Sequence, residues 1–320
     1  MTIYLVHDFY DPIGRIISAP GFYFEEVGLL SKTITDIGYE VVCINGIDEL
    51  CRMIITIEKN AIVFNIVSGS GSRNREALVP ALCESHGLNY IGSDAFGTAL
   101  PMHKFQLKLF VNKLGVNIPN AVYFDPLIHD KDYFERGIQN VTPPYIIKPN
   151  HENMSRGVKM FKTSSTMYEY ANEICRLYNQ ACIVEEYIEG KELALTLVGT
   201  GKSAKAFSAV QYSRKNLSEV EIFDGKLKEE NDIMYTEPDV SEALIEYIKD
   251  KSLIIHKGLG LKDFSRADWR VNKHAAYFLE ITPLPCLAVG TEFHYSAKSR
   301  GITFKEFIEE VIVRRQNSSF

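Results

Sequence analysis

Apolar runs that alternate with helical patterns dominate the first 98 residues: "IYLVHD", "EVVCI", "AIVFNIV" and "NYIG", with segments of helical spacing such as "FYFEEVGLLSKTITDIG" and "REALVPALCESHG" between them. A strand buried on both faces reads as an unbroken apolar run, whereas a helix repeats its apolar positions every three or four residues. Strands joined through helices run in one direction, so this texture predicts a βαβ-type, mainly parallel sheet. In the first helical segment Leu29, Ile34 and Ile37 keep the apolar stripe, and Gly38 closes it as a C′ residue should. With 320 residues, the chain is long enough for two or three subdomains around a substantial core.

The texture then changes. A helix following Pro101 carries Leu107, Phe110, Val111 and Leu114 and stops at Gly115, and Pro119, Pro143 and Pro144 break up the next stretch. Beyond "PPYIIKP" the apolar runs come as hairpin-like pairs: "YIIKP…GVKMFK", "CIVEEY…ELALTLVG" and "SRADWRVNKHAAYFLEI". Helices near 165–178 and 239–258 separate them, and "TFKEFIEEVIVRR" ends in basic residues that suit the negative end of a helix dipole. The pattern predicts α+β subdomains with antiparallel sheets after the α/β domain. The expected divisions are 1–98, 99–183 and 184–320.

Composition removes several classes of function. A hydrophobic content of 46% with 24% charged residues is that of a soluble globular chain, and a net charge of -6 argues against binding nucleic acid. No run reaches the ~20 apolar residues that cross a bilayer. "MTIYLVHDFY" lacks the basic start and small-residue cleavage site of a signal peptide. The six cysteines include no CxxC pair and the eight histidines no HExxH, so neither a disulfide framework nor a zinc site is indicated, and the expected compartment is the cytoplasm.

Four segments can carry chemistry. In "SRADWRVNKHAAYFLEIT", strand alternation puts Arg266, Asp268 and Arg270 on one face, and Glu280 and Thr282 share a face of the returning strand. If the hairpin pairs those faces, two carboxylates and a hydroxyl converge into a hard oxygen site of the kind that holds Mg²⁺ with nucleotide phosphates. A hairpin with one solvated face explains the same charges equally well. In "PYIIKPNHENMSRGVKMFK", Lys148 precedes a polar loop and suits phosphate oxygens, although a lysine snorkelling from a sheet edge has the same pattern. In "CIVEEYIEGKELALTLVG", a short connector can offer backbone groups to an adenine edge while Glu192 accepts from ribose hydroxyls; two strands with charged ends are the plainer reading. The loop in "IVSGSGSRNRE" follows a buried strand, where Ser70, Arg73 or Arg75 can meet an anion, but Gly/Ser loops are commonly just loops.

The order of these pieces resembles the ATP-grasp superfamily, and within it the D-alanine–D-alanine ligase branch: "LNYIGSDAFGTALPMHKFQLK", then "IIKP" with its loop, "VEEYIEGKEL", and "RADWRV…FLEITPLPC". The resemblance implies an ATP-grasp fold in which two antiparallel α+β subdomains grip ATP behind the N-terminal βαβ domain. It implies that Lys104 and Lys148 meet the ATP phosphates, that Glu185, Glu186, Tyr187 and Ile188 form the adenine connector, and that Glu192 binds the ribose. Ser155 lies in "ENMSRG", which matches the family's mobile phosphate loop, and Lys226 matches a lysine on a lid loop. Asp268, Glu280 and Thr282 would hold Mg²⁺, and Arg266 would stabilise the tetrahedral intermediate. Small-molecule acid and amine substrates, an acyl-phosphate intermediate and a homodimer are further implications.

The chain departs from that pattern in particular places. Thr282 stands where the family has Asn, Cys286 where it has Gly, and Asn153, Met154 and Arg156 occupy a loop that is normally small and Ser/Gly-rich. The N-terminal glutamate–serine motif and the His-Gly…Glu-Asp-Gly loop that receive the first D-alanine are missing, and "VSGSGSRNRE" stands in the place of the latter. The expectation is therefore a carboxylate–amine ligase acting on substrates other than two D-alanines, as in a specialised-metabolite pathway. Ser70, Arg73, Arg75, Cys286 and Thr291 are the candidates for its substrate pocket, with Arg73 or Arg75 holding a carboxylate of a more acidic substrate. A carrier-protein thiol or an internal amine as nucleophile, and a nucleotide-binding regulator without turnover, are the alternatives.

Overall fold

Three sheets follow the textures of the sequence in a computed structural model that describes residues 1–8, 20–67, 72–153, 155–214 and 233–317. The first contains β1 (Thr2–His7), β2 (Glu40–Asn45), β3 (Ile62–Asn65) and β4 (Asn89–Ile91) in the order β2-β1-β3-β4, every pair parallel. Helices α1 (Pro20–Ile37), α2 (Gly46–Met53) and α3 (Leu78–His86) make the crossovers. All four residues of β3 are buried, which is why the strand reads as an apolar run.

Pro101 lies within α4 (Ala95–Met102), before the helix expected after it. The chain leaves helical geometry at His103 (φ -91°, ψ 82°) and α5 (Lys104–Lys113) starts one residue later. The central sheet has the order β5-β8-β6-β7 and is antiparallel, from β5 (Ala121–Phe124), β6 (Tyr145–Pro149), β7 (Lys159–Phe161) and β8 (Cys182–Glu186). With α6 (Lys131–Ile138) and α7 (Met167–Tyr178) it encloses Phe124, Phe134, Ile147, Met167 and Val184.

The third sheet is also antiparallel, β11-β10-β9-β12-β13, built from β9 (Lys191–Val198), β10 (Lys205–Arg214), β11 (Ile233–Thr236), β12 (Phe264–Val271) and β13 (Ala276–Thr282). Helix α8 (Glu242–Gly258) lies between β11 and β12, and α9 (Glu292–Ser299) and α10 (Phe304–Asn317) follow β13. Trp269 is fully buried under α8, its indole N–H donating to Ser252 Oγ at 2.9 Å.

One expected hairpin is not a hairpin. "CIVEEY" and "ELALTL" are β8 and β9, which belong to different sheets, and residues 187–190 carry the chain from one to the other. Two anchors fix that crossing. The Tyr187 N–H donates to the Pro144 carbonyl at 2.7 Å, and Gly190 (φ +151°) packs so tightly that a Cβ would stand 2.3 Å from the Val271 carbonyl oxygen. The expected division at 98 falls inside α4 and that at 183 inside β8. The first and third segments also share a core, where Ile3, Leu5, Leu30 and Phe64 meet Phe264, Phe293, Phe307 and Val311. Among the described residues no helix is long and apolar enough to cross a membrane.

Candidate active site

The two antiparallel sheets and the carboxyl end of β3 enclose a cavity of about 690 Å³. Its floor is the β12–β13 hairpin, whose register sets Arg266 opposite Thr282 and Asp268 opposite Glu280. A shift of register after Asp268 lets the hairpin continue as Trp269–Phe278, so the apolar face stays buried while the carboxylate pair faces the cavity.

Two lysines reach this floor from different elements. Lys104, the first residue of α5, lies 3.0 Å from Glu280 Oε2, and Lys148 on β6 lies 2.5 Å from Glu185 Oε1 on β8. Burial works against the ionised form of Glu280, but Lys104, Lys148 and Arg266 outweigh it and hold the carboxyl well below the usual range. Lys148 is also drawn down by burial, and Glu185 and Glu280 more than offset that, leaving it above an ordinary lysine.

On the connector, Tyr187 and Ile188 line the cavity with Glu192 of β9 beside them. Arg270 organises this end. It lies 3.0 Å from Glu192 Oε2, donates to the Gly190 carbonyl at 3.0 Å and covers the Tyr187 ring at 5.5 Å. Glu186 also borders the cavity, but its carboxylate accepts from Asn120, at 2.9 Å from the backbone N–H. Glu185 sits deeper, buried against lysines.

At the opposite end Arg266 is clamped between acids. Its guanidinium donates to Asp268 at 2.7–3.1 Å, to Glu292 at 2.5 Å and, at 3.4 Å, to Thr282 Oγ1. Glu292 in turn accepts from Tyr235 at 3.1 Å. Cys286 reaches this wall with its Sγ 3.6 Å from Glu26 Oε2, while the neighbouring Leu287 N–H donates to Glu26 at 2.7 Å. Burial, with Glu26 nearby, pushes the Cys286 thiol far above its normal value. Thr291 also lines the cavity, its hydroxyl donating to the Ala288 carbonyl at 2.9 Å.

Ser155 lines the cavity in left-handed geometry (φ 57°). Arg73 is exposed and stands off the wall, and Arg75 is buried, donating to the His151 carbonyl at 3.1 Å. The cavity is met instead by Glu76, whose Oε1 accepts from Asn153 at 2.7 Å and whose Oε2 has no hydrogen-bond partner among the described residues. Burial pushes the carboxyls of both Glu26 and Glu76 up to about 7. Ser70 and Lys226 lie outside the described residues.

Arg270, Glu292, Glu26, Glu76 and Lys108 are the site residues to which sequence reasoning gave no role. Strand alternation had already placed Arg270 on the face of Arg266 and Asp268, and Lys108 repeats Lys104 one helical turn on. Glu26, Glu76 and Glu292 come from elements whose meeting no local pattern announces.

The family model described as D-ala D-ala ligase C-terminus matches residues 110–313, well over half of the chain. The chain belongs to the D-alanine–D-alanine ligase family. A relative of this family member, the D-alanine–D-alanine ligase of Aquifex aeolicus, is 25% identical over 284 residues, 88% of this chain and 92% of the other. The crystal structure of D-alanine–D-alanine ligase from Bacillus anthracis complexed with ATP superposes with a TM-score of 0.78 at 17% identity, covering 100% of this chain and 99% of that one. VanG D-Ala:D-Ser ligase from Enterococcus faecalis gives a TM-score of 0.78 at 15% identity over 98% and 99%. The fold is thus ATP-grasp, and this D-alanine–D-alanine ligase family member is an ATP-dependent ligase that forms C–N bonds between carboxylates and amines.

Proposed function

We propose that this family member makes an amide from an acid and an amine other than two D-alanines. The observation that carries the reading is the cavity itself. Lys104, Lys148, Arg266, Asp268 and Glu280 meet in it, while its remaining wall presents Glu26, Glu76 and Cys286. In this reading Lys104 and Lys148 set two ammonium groups against the ATP phosphates. Glu192, steadied by Arg270, accepts from ribose hydroxyls, and the backbone at 187–188 meets the adenine edge. Arg266 stabilises the oxyanion that forms when the amine attacks the activated acyl carbon.

Mg²⁺ fits the donors at the floor. Burial and the neighbouring Glu280 charge, against the pull of Arg266, push Asp268 up to about 7, so a divalent cation would relieve a real repulsion. Among the described residues no three His, Cys, Asp or Glu side chains gather into a metal cage. The protein donors here would be Asp268, Glu280 and the Thr282 hydroxyl. When bound, the ion would withdraw charge from the phosphoryl oxygens.

The wall supports a change of substrate. Among the described residues the charged side chain facing the cavity between β3 and α3 is Glu76, an acid where the sequence suggested an arginine, so an acid substrate carrying a basic group suits it better than one with an extra carboxylate. A coupled ADP-release screen over acids and amines, with Mg²⁺ and with D-alanine alone as control, tests the reading. We expect release with another acid–amine pair and none with D-alanine. Turnover of D-alanine alone at a comparable rate overturns it.

A further inference from the structure

Lys108 is the most deeply buried cation associated with the site, with 1% of its side chain exposed, and it does not border the cavity. It shares the inner face of α5 with the fully buried Leu107 and Val111, where an apolar side chain would pack without the cost of desolvating a charge. Its Nζ lies 3.1 Å from Glu185 Oε2, a charge contact rather than a directed hydrogen bond, and donates to the Leu279 carbonyl at 3.4 Å. The other Glu185 oxygen is 2.5 Å from Lys148, which does border the cavity. One carboxylate is therefore shared by two ammonium groups, and the buried cluster carries an excess positive charge.

We propose that Lys108 is a positioning residue that keeps Glu185 compensated, so that the charge of Lys148 is available to a phosphate in the cavity. This rests on the ATP reading above. With Lys108 present, Lys148 can turn from Glu185 to an arriving phosphate without stranding an unpaired buried carboxylate. Without it, Glu185 and Lys148 form a one-to-one pair that must break before phosphate is bound. Lys104 and Lys108, one turn apart on α5, thereby serve different carboxylates: Lys104 pairs with Glu280, and Lys108 with Glu185 behind Lys148.

The test is isothermal titration of ATP and of adenosine into the wild type, K108M and K108R, all with Mg²⁺. We expect K108M to raise the Kd for ATP by about 10-fold or more while adenosine changes by less than about 2-fold, and K108R to bring ATP back within about 3-fold of the wild type. K108Q is titrated beside them, so that a folding failure of K108M leaves the comparison standing. An unchanged Kd for ATP overturns the proposal, as does an equal loss for ATP and adenosine, which would mark Lys108 as merely structural. A wild type that binds no ATP overturns the ATP reading itself, and the first titration separates that case from the others.

Discussion

Glu280 stands opposite Asp268 on neighbouring strands, and each is paired with a basic side chain, Lys104 or Arg266. A carboxylate so placed works by its charge, so Glu280→Gln, which keeps the shape, should lower ATP-dependent turnover by at least about 100-fold. Lys148→Ala should do the same. Near-normal ADP release by either variant would remove that residue from the site. Glu26 and Glu76 lead to a different expectation. Both keep their protons in the folded protein up to about 7, whereas their reference value is 4.5, so between those values the folded state binds more protons. The contribution of these two carboxyls to stability should therefore fall as pH rises from about 4.5 to 7, while the buried histidines His151 and His256, whose pKa values are lowered, contribute in the opposite direction. Glu76→Gln should flatten the fall by something on the order of 3 kcal/mol, read from denaturation at the two pH values. A slope equal to the wild type's would show that Glu76 does not titrate this way. At this scale the sequence was informative wherever a residue sits in a strand of known alternation, as with Asp268 and Glu280. It was silent on Glu26 and Glu76, whose role depends on the wall they meet across the cavity.

Among the elements, the hairpin β12–β13 was readable because its turn at Asn272–His274 and its alternation fix the register. The separation of β8 from β9 was not, since two strands of one hairpin and two strands of different sheets share the same local pattern. What distinguishes them is the connector, and its most constrained residue is Gly190. Its positive φ and the Val271 carbonyl behind it leave no room for a side chain, and its own carbonyl holds Arg270. Gly190→Ala should cost roughly 2 kcal/mol or more of stability and also weaken nucleotide binding, because Arg270 carries Glu192. Thermal unfolding with and without ATP checks both effects. A variant that loses stability yet binds ATP as before would separate the connector from the nucleotide site.

Across the whole molecule, the order of segments was legible while their joint core was not. The clusters that tie residues 3–91 to residues 198–312 are contacts between parts of the chain far apart in sequence, and neither half shows by itself which partner covers its apolar face. Phe307, Ile308, Val311 and Ile312 of α10 belong to the core that contains Ile3, Leu5, Leu30 and Ile34. Deleting residues 304–317 should leave the parallel sheet partly uncovered, with loss of cooperative unfolding and recovery mainly in the insoluble fraction. A soluble, cooperatively unfolding truncated chain would contradict this. The same arrangement sets a timetable. During synthesis the first sheet leaves the ribosome long before α10 exists, so it must wait with an open apolar face until residues 304–317 have been made. Newly made chains should accordingly depend on chaperones most strongly in that interval, and the first sheet should gain its full protection from proteolysis last, although it is made before the other two sheets.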